Sequence, residues 1–149
     1  MSNLAVDIHW TRKEAELKPQ SYSAEHDIVY SPAFAIKADT APDWGGNPEN
    51  TNPEQAMAAS LSSCHMMTFL ALCAKAGWPV ATYSDHAVAH LGRNAKGKTV
   101  VTQIDLKPDV TFDDDFTVTP EDMAKMQERA HRYCFIANTL AGNVEMTLG

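Results

Sequence analysis

The stretch NPEQAMAASLSSCHMMTFLALCAKAG, from Asn52 to Gly77, reads as one helix with a thiol, Cys64, at its middle. Ser60 lies four residues before Cys64 and Thr68 four after, so small hydroxyl side chains share its face. Such a thiol has two readings. It is core packing, since free cysteine is among the most buried residue types, or it is a nucleophile in an enclosed site. Only the thiolate is a good nucleophile, and burial raises a thiol's pKa. The helix dipole acts only near helix ends. A reactive Cys64 therefore needs a cation, or hydrogen-bond donors, from another segment.

Two further thiols are present, Cys73 and Cys134. Cys73 follows Cys64 by nine positions on the same helix. The two point to opposite faces, with Cα atoms roughly 13 Å apart. A disulfide needs Cα atoms closer than about 7 Å. Any disulfide must then use Cys134, with either Cys64 or Cys73 as its partner. The neighbours of Cys73, LALCAKAG, are plain packing residues. Cys134 lies in AHRYCFIAN, with His131 three residues back on the same helix face.

Other groupings are weaker. Cys64, His65, His131 and Cys134 would make a four-ligand zinc set, but Cys64 and His65 are helix neighbours and diverge by about 100°. No metal or cofactor is expected. His86 and His90 would share a strand face as solvated histidines, and FDDDF lacks the spaced ligands and glycine of a calcium loop. Met57, Met66 and Met67 are core residues, or the lining of an adaptable apolar pocket. Glu54 suits the first turn of a helix, whose dipole favours a carboxylate there.

These residues need elements to position them. Alternating Val6, Ile8 and Trp10 predict a first strand, and HDIVY and AFAIKA predict two more around a Ser31-Pro32 turn. A long Pro-, Gly- and Asn-rich loop follows. Asn52, Pro53 and Gln55 then start the long helix, and Gly77 and Pro79 end it. ATYSDHAVAHL and KTVVTQIDLKPDV predict two strands around the turn GRNAKGK. Thr119, Pro120 and Asp122 open a second helix running to about Cys134 or beyond, and NVEMTL closes as a strand. Strands and helices do not alternate, so the fold class is α+β. The 149 residues suggest a single domain, 1–149.

Twelve basic against nineteen acidic side chains give a net charge of −7, with no basic block, which argues against nucleic acid and anionic membranes as partners. The N-terminus has neither a basic nor an apolar region of the kind that opens a signal peptide. The run Ala56–Ala74 approaches membrane-spanning length but carries Ser60, Ser62, Ser63, His65 and Thr68, so it reads as a buried helix of a soluble protein. Three cysteines without a secretory signal suggest the cytoplasm. The helix is apolar or small nearly all round, which predicts burial on every side. One small domain can scarcely supply that cover, and a homodimer would.

NPEQAMAASLSSCHMMTFLALCAKAG, followed 70 residues after its cysteine by the cysteine of AHRYCFIANTL, resembles the osmotically inducible protein C (OsmC) and organic hydroperoxide resistance family. SSCHM and CFIAN resemble an OsmC-like subgroup. The resemblance implies an intertwined homodimer, with antiparallel sheets wrapping long central helices. It implies a peroxidase in which Cys64 attacks an organic hydroperoxide and Cys134 resolves the sulfenic acid as a disulfide. A dithiol reductant, which the resemblance suggests is lipoyl-type, then restores both thiols. Glu54 matches a glutamate that orients an arginine beside the first thiol. The subgroup places that arginine in YS-R-x-H, where this chain has YSAEH with Ala24. Arg12, Arg132 or His26 would have to substitute. The alternative is a non-catalytic dimer that binds a small apolar ligand or senses redox state. A cation beside the Cys64 sulfur would favour the peroxidase; none would favour the alternative.

Overall fold

The N-terminal apolar alternation forms a strand shorter than its pattern. In the computed structural model, which describes residues 4–149, β1 covers only Asp7–His9. Trp10 has left the ladder: its indole N–H donates to the Ser23 carbonyl at 2.9 Å, and its ring meets Tyr22 edge-on. β2 (His26–Ser31) and β3 (Phe34–Ala38) complete an antiparallel sheet in the order β1-β2-β3. The long loop is tied down by Asp39, whose carboxylate accepts the amides of Thr40 at 2.7 Å and Asn47 at 3.0 Å. It folds so closely on itself that a Cβ on Gly46 would lie 1.7 Å from the Thr40 carbonyl oxygen.

α1 spans Pro53–Ala76. Asn52 caps it, its Oδ1 accepting the Gln55 amide at 2.9 Å. Gly77, at φ +76°, closes it. The Trp78 amide reaches back to the Cys73 carbonyl at 2.9 Å and that of Gly77 to Ala74 at 3.3 Å, a Schellman arrangement. The chain divides after Ala56 into two compact units, residues 4–56 with the first sheet and residues 57–149 with the rest.

In the second unit the two predicted strands become four: β4 (Val80–Ser84), β5 (Val88–Arg93), β6 (Thr99–Leu106) and β7 (Asp109–Phe112). Asp85 causes the first break, because its carboxylate accepts the Ser62 hydroxyl at 2.5 Å and the Lys107 amide at 2.6 Å. Pro108 marks the second, since it has no N–H for the ladder. β7 turns away to pair antiparallel with β4, while β6 pairs antiparallel with β5 and parallel with β8 (Glu145–Leu148). Between β7 and β8 lie α2 (Pro120–Tyr133) and a short α3 (Phe135–Leu140). Thr119 caps α2 through the Asp122 amide at 3.1 Å. The fold class is α+β, as predicted, with every strand pair antiparallel except β6–β8 among the described residues.

α1 buries one stripe: Ala58, Leu61, His65, Phe69 and Cys73. Leu61 packs with Ile104, Leu106 and Cys134, and Phe69 with Cys73, Met126 and Ala130. Ala59, Ser63, Met67, Ala71 and Ala74 on the other face are exposed. A single chain thus covers one stripe of α1, in line with the expectation that one small domain can scarcely surround it. By length and composition α1 could cross a membrane, but its buried stripe carries a histidine engaged by α2.

Candidate active site

Cys134 sits at the break between α2 and α3. Its backbone, at φ −73° and ψ 119°, is extended, so α2 stops and α3 starts anew. Its Sγ caps α3 by accepting the Ala137 amide at 3.4 Å. The first amides of a helix have no partner within it. Those of Ile136 and Phe135 act on the Cys64 thiol, favouring its charged form. Cys134 is fully buried and Cys64, packed against it, is partly open. All three cysteines are free thiols.

This arrangement separates the two thiols in acidity. Burial opposes the Cys64 thiolate, but the Ile136 amide, the Cys134 thiol and the Phe135 amide outweigh it and hold the Cys64 thiol below its ordinary pKa. Thr68 also stands beside the sulfur, but its hydroxyl donates to the Cys64 carbonyl at 2.9 Å, so its hydrogen is committed elsewhere. Burial pushes the Cys134 thiol up, and the adjacent Cys64 thiolate pushes it further. Of the pair, Cys64 is the thiol that ionises first, and Cys134, pushed up to about 11, holds its proton longer. Burial alone raises Cys73 to about 11, in keeping with a packing role. No basic side chain is among the groups acting on the Cys64 sulfur.

Of the residues singled out by sequence, Cys64 and Cys134 are brought together and Cys73 is kept apart. Glu54 stands in the first turn of α1, in the other unit, with Oε2 enclosed and unpartnered. His65 points away from the thiols, its Nε2 2.6 Å from Gln127 Oε1 on α2. The zinc set does not assemble, and no group of three or more metal-ligating side chains occurs among the described residues. His90 is not a merely solvated histidine: it lies 2.6 Å from Asp105, which Thr147, Gln103 and His90 together hold at about 2. Asp113–Asp115 form a turn. Sequence reasoning missed the amides of Phe135 and Ile136. A cysteine followed by the helix-forming FIANTL, and so placed to cap it, was the available signal.

The sequence profile of the OsmC-like protein family matches residues 46–149. No curated protein matches the chain. Among solved structures, an OsmC-like protein of unknown function from Vibrio cholerae is 37% identical with a TM-score of 0.90, over 100% of this chain and 99% of that one. An organic hydroperoxide resistance protein from Elizabethkingia anophelis is 19% identical with a TM-score of 0.73, over 99% and 95% of the two chains. OhrB of Bacillus subtilis, also an organic hydroperoxide resistance protein, is 17% identical with a TM-score of 0.67, over 97% and 96%. At such identities these last two speak for the fold.

Proposed function

The chain belongs to the OsmC-like family, and from that premise we propose that it is a two-cysteine peroxidase reducing organic hydroperoxides to alcohols. One observation carries the reading: the partly open Cys64 thiol packs against the cluster that buries the Cys134 thiol, and its surroundings favour the thiolate at Cys64 over Cys134. The Cys64 thiolate attacks the terminal peroxide oxygen and becomes a sulfenic acid. Cys134 then attacks the Cys64 sulfur to close a disulfide. A dithiol reductant of the cytoplasm, lipoyl-type by family resemblance, reopens it. Two proteins that share the fold carry the name organic hydroperoxide resistance protein, and the proposed activity is of that kind. An arginine was expected to activate the first thiol, and Ala24 stands in its place. In this reading the amides of Ile136 and Phe135, which favour the Cys64 thiolate, take the role wanted of that cation.

A thiol count before and after one equivalent of cumene hydroperoxide tests this. Rapid loss of two thiols is expected, abolished in Cys64→Ser; Cys134→Ser should retain a trappable sulfenic acid. No basic side chain acts on the Cys64 sulfur and Glu54 Oε2 is unpartnered, which favours a second reading, a non-catalytic dimer that binds a small apolar ligand or senses redox state. Thiol loss no faster than that of free cysteine would select it.

A further inference from the structure

We propose that Cys134 is also the general acid of the first step, giving its proton to the departing alcohol before it acts as the resolving thiolate. The inference rests on the peroxidase reading. Cleavage of the O–O bond by a thiolate expels an alkoxide, a far stronger base than the thiolate that displaced it. An alkoxide leaves readily only when an acid is at hand.

The surroundings of Cys64 restrict which acid that is. The Phe135 and Ile136 amides stabilise negative charge but do not release protons. The Thr68 hydroxyl is committed to the Cys64 carbonyl at 2.9 Å. His65, the adjacent titratable residue, is fully buried and faces Gln127 instead. Cys134 remains. Its thiol belongs to the buried cluster against which Cys64 packs, is wholly buried, and is anchored by the Ala137 amide on its acceptor side. Burial keeps its proton in place until a base stronger than water appears beside it.

The step balances. The Cys64 thiolate forms a bond to the terminal oxygen of ROOH as the O–O bond breaks. Cys64 is oxidised to the sulfenic acid and the peroxide is reduced. The leaving RO⁻ takes the Cys134 proton and departs as ROH, and Cys134 becomes a thiolate. That thiolate attacks the Cys64 sulfur, the S–S bond forms, and hydroxide leaves and is protonated by solvent. The resolving nucleophile thus exists only after peroxide has reacted.

Rapid-quench single turnovers with cumene hydroperoxide, following loss of the Cys64 thiol, test the inference. Rates are compared on the high-pH plateau, so that a changed Cys64 pKa does not enter. A pure resolving role leaves this rate untouched in Cys134→Ala. General-acid catalysis predicts a fall of about 100-fold and disappearance of the solvent deuterium isotope effect seen in the wild type. Cys134→Ser, which keeps a donor but not an acidic one, should also fall at least about tenfold. Should the alanine variant fail to fold by circular dichroism, the serine variant decides. A fast wild type with an equally fast folded variant overturns this inference alone. A wild type that reacts no faster than free cysteine overturns the peroxidase reading and this inference with it.

Discussion

The Ile136 and Phe135 amides favour the Cys64 thiolate, which gives a direct test. Phe135 holds the first position of α3 and its side chain is 81% exposed, so little packing depends on it. Proline suits that position in its φ angle and removes the N–H. Phe135→Pro should keep the fold and raise the Cys64 pKa. Iodoacetamide labelling at pH 7 should slow about three- to tenfold, with the high-pH plateau unchanged. Cys73 and Cys134, both raised by burial, contribute little background. An unmoved labelling midpoint would show that the amide is idle. At this scale the sequence displayed the thiol and its hydroxyl-lined face. It could not display the donors, because an amide's direction depends on where a helix starts, and Cys134 sets that start through its own backbone and side chain.

At the level of elements, helix caps were legible because each rests on a local contact: Asn52 and Thr119 bond amides three residues ahead. The broken strands were not, because Asp85 is held by Ser62 and Lys107, 23 and 22 positions away. The packing of α1 on α2 was equally hidden. His65 is fully buried there, and its pKa is lowered, first by burial and then by the neighbouring His131, against the opposing pull of Gln127 and Asp85. The folded pKa therefore lies below the roughly 6.5 of the unfolded chain. Above that pH His65 is neutral in both states and its contribution is intact. As pH falls below it, the unfolded state takes up the proton first and stability is lost toward the folded pKa. Thermal melts should show Tm falling as pH drops below about 6.5. His65→Met should cost about 1–3 kcal/mol at pH 8, by stranding Gln127, and should flatten that fall. An unchanged pH slope in the variant would rule His65 out as its source.

For the whole molecule, the exposed stripe of α1 calls for an explanation. Ala59, Ser63, Met67, Ala71 and Ala74 form an apolar, small-residue face, with Met67 58% exposed. In the first unit Val6, Ile8 and Trp10 are likewise 41–57% exposed. Apolar surface of this kind marks a place where another surface sits. The all-round apolarity of α1 was legible in the sequence, but a single chain cannot show what covers the second face. A second copy meets the need, since small residues let two helices approach closely and an isologous contact sets each stripe against its twin. Sedimentation at micromolar concentration should give twice the 16.3 kDa of the chain. Met67→Glu, placing a charge on each copy within that contact, should shift the protein toward the single-chain mass without unfolding it, because in the single chain Met67 is already exposed. A wild type that sediments as one chain would leave the stripe to some other partner.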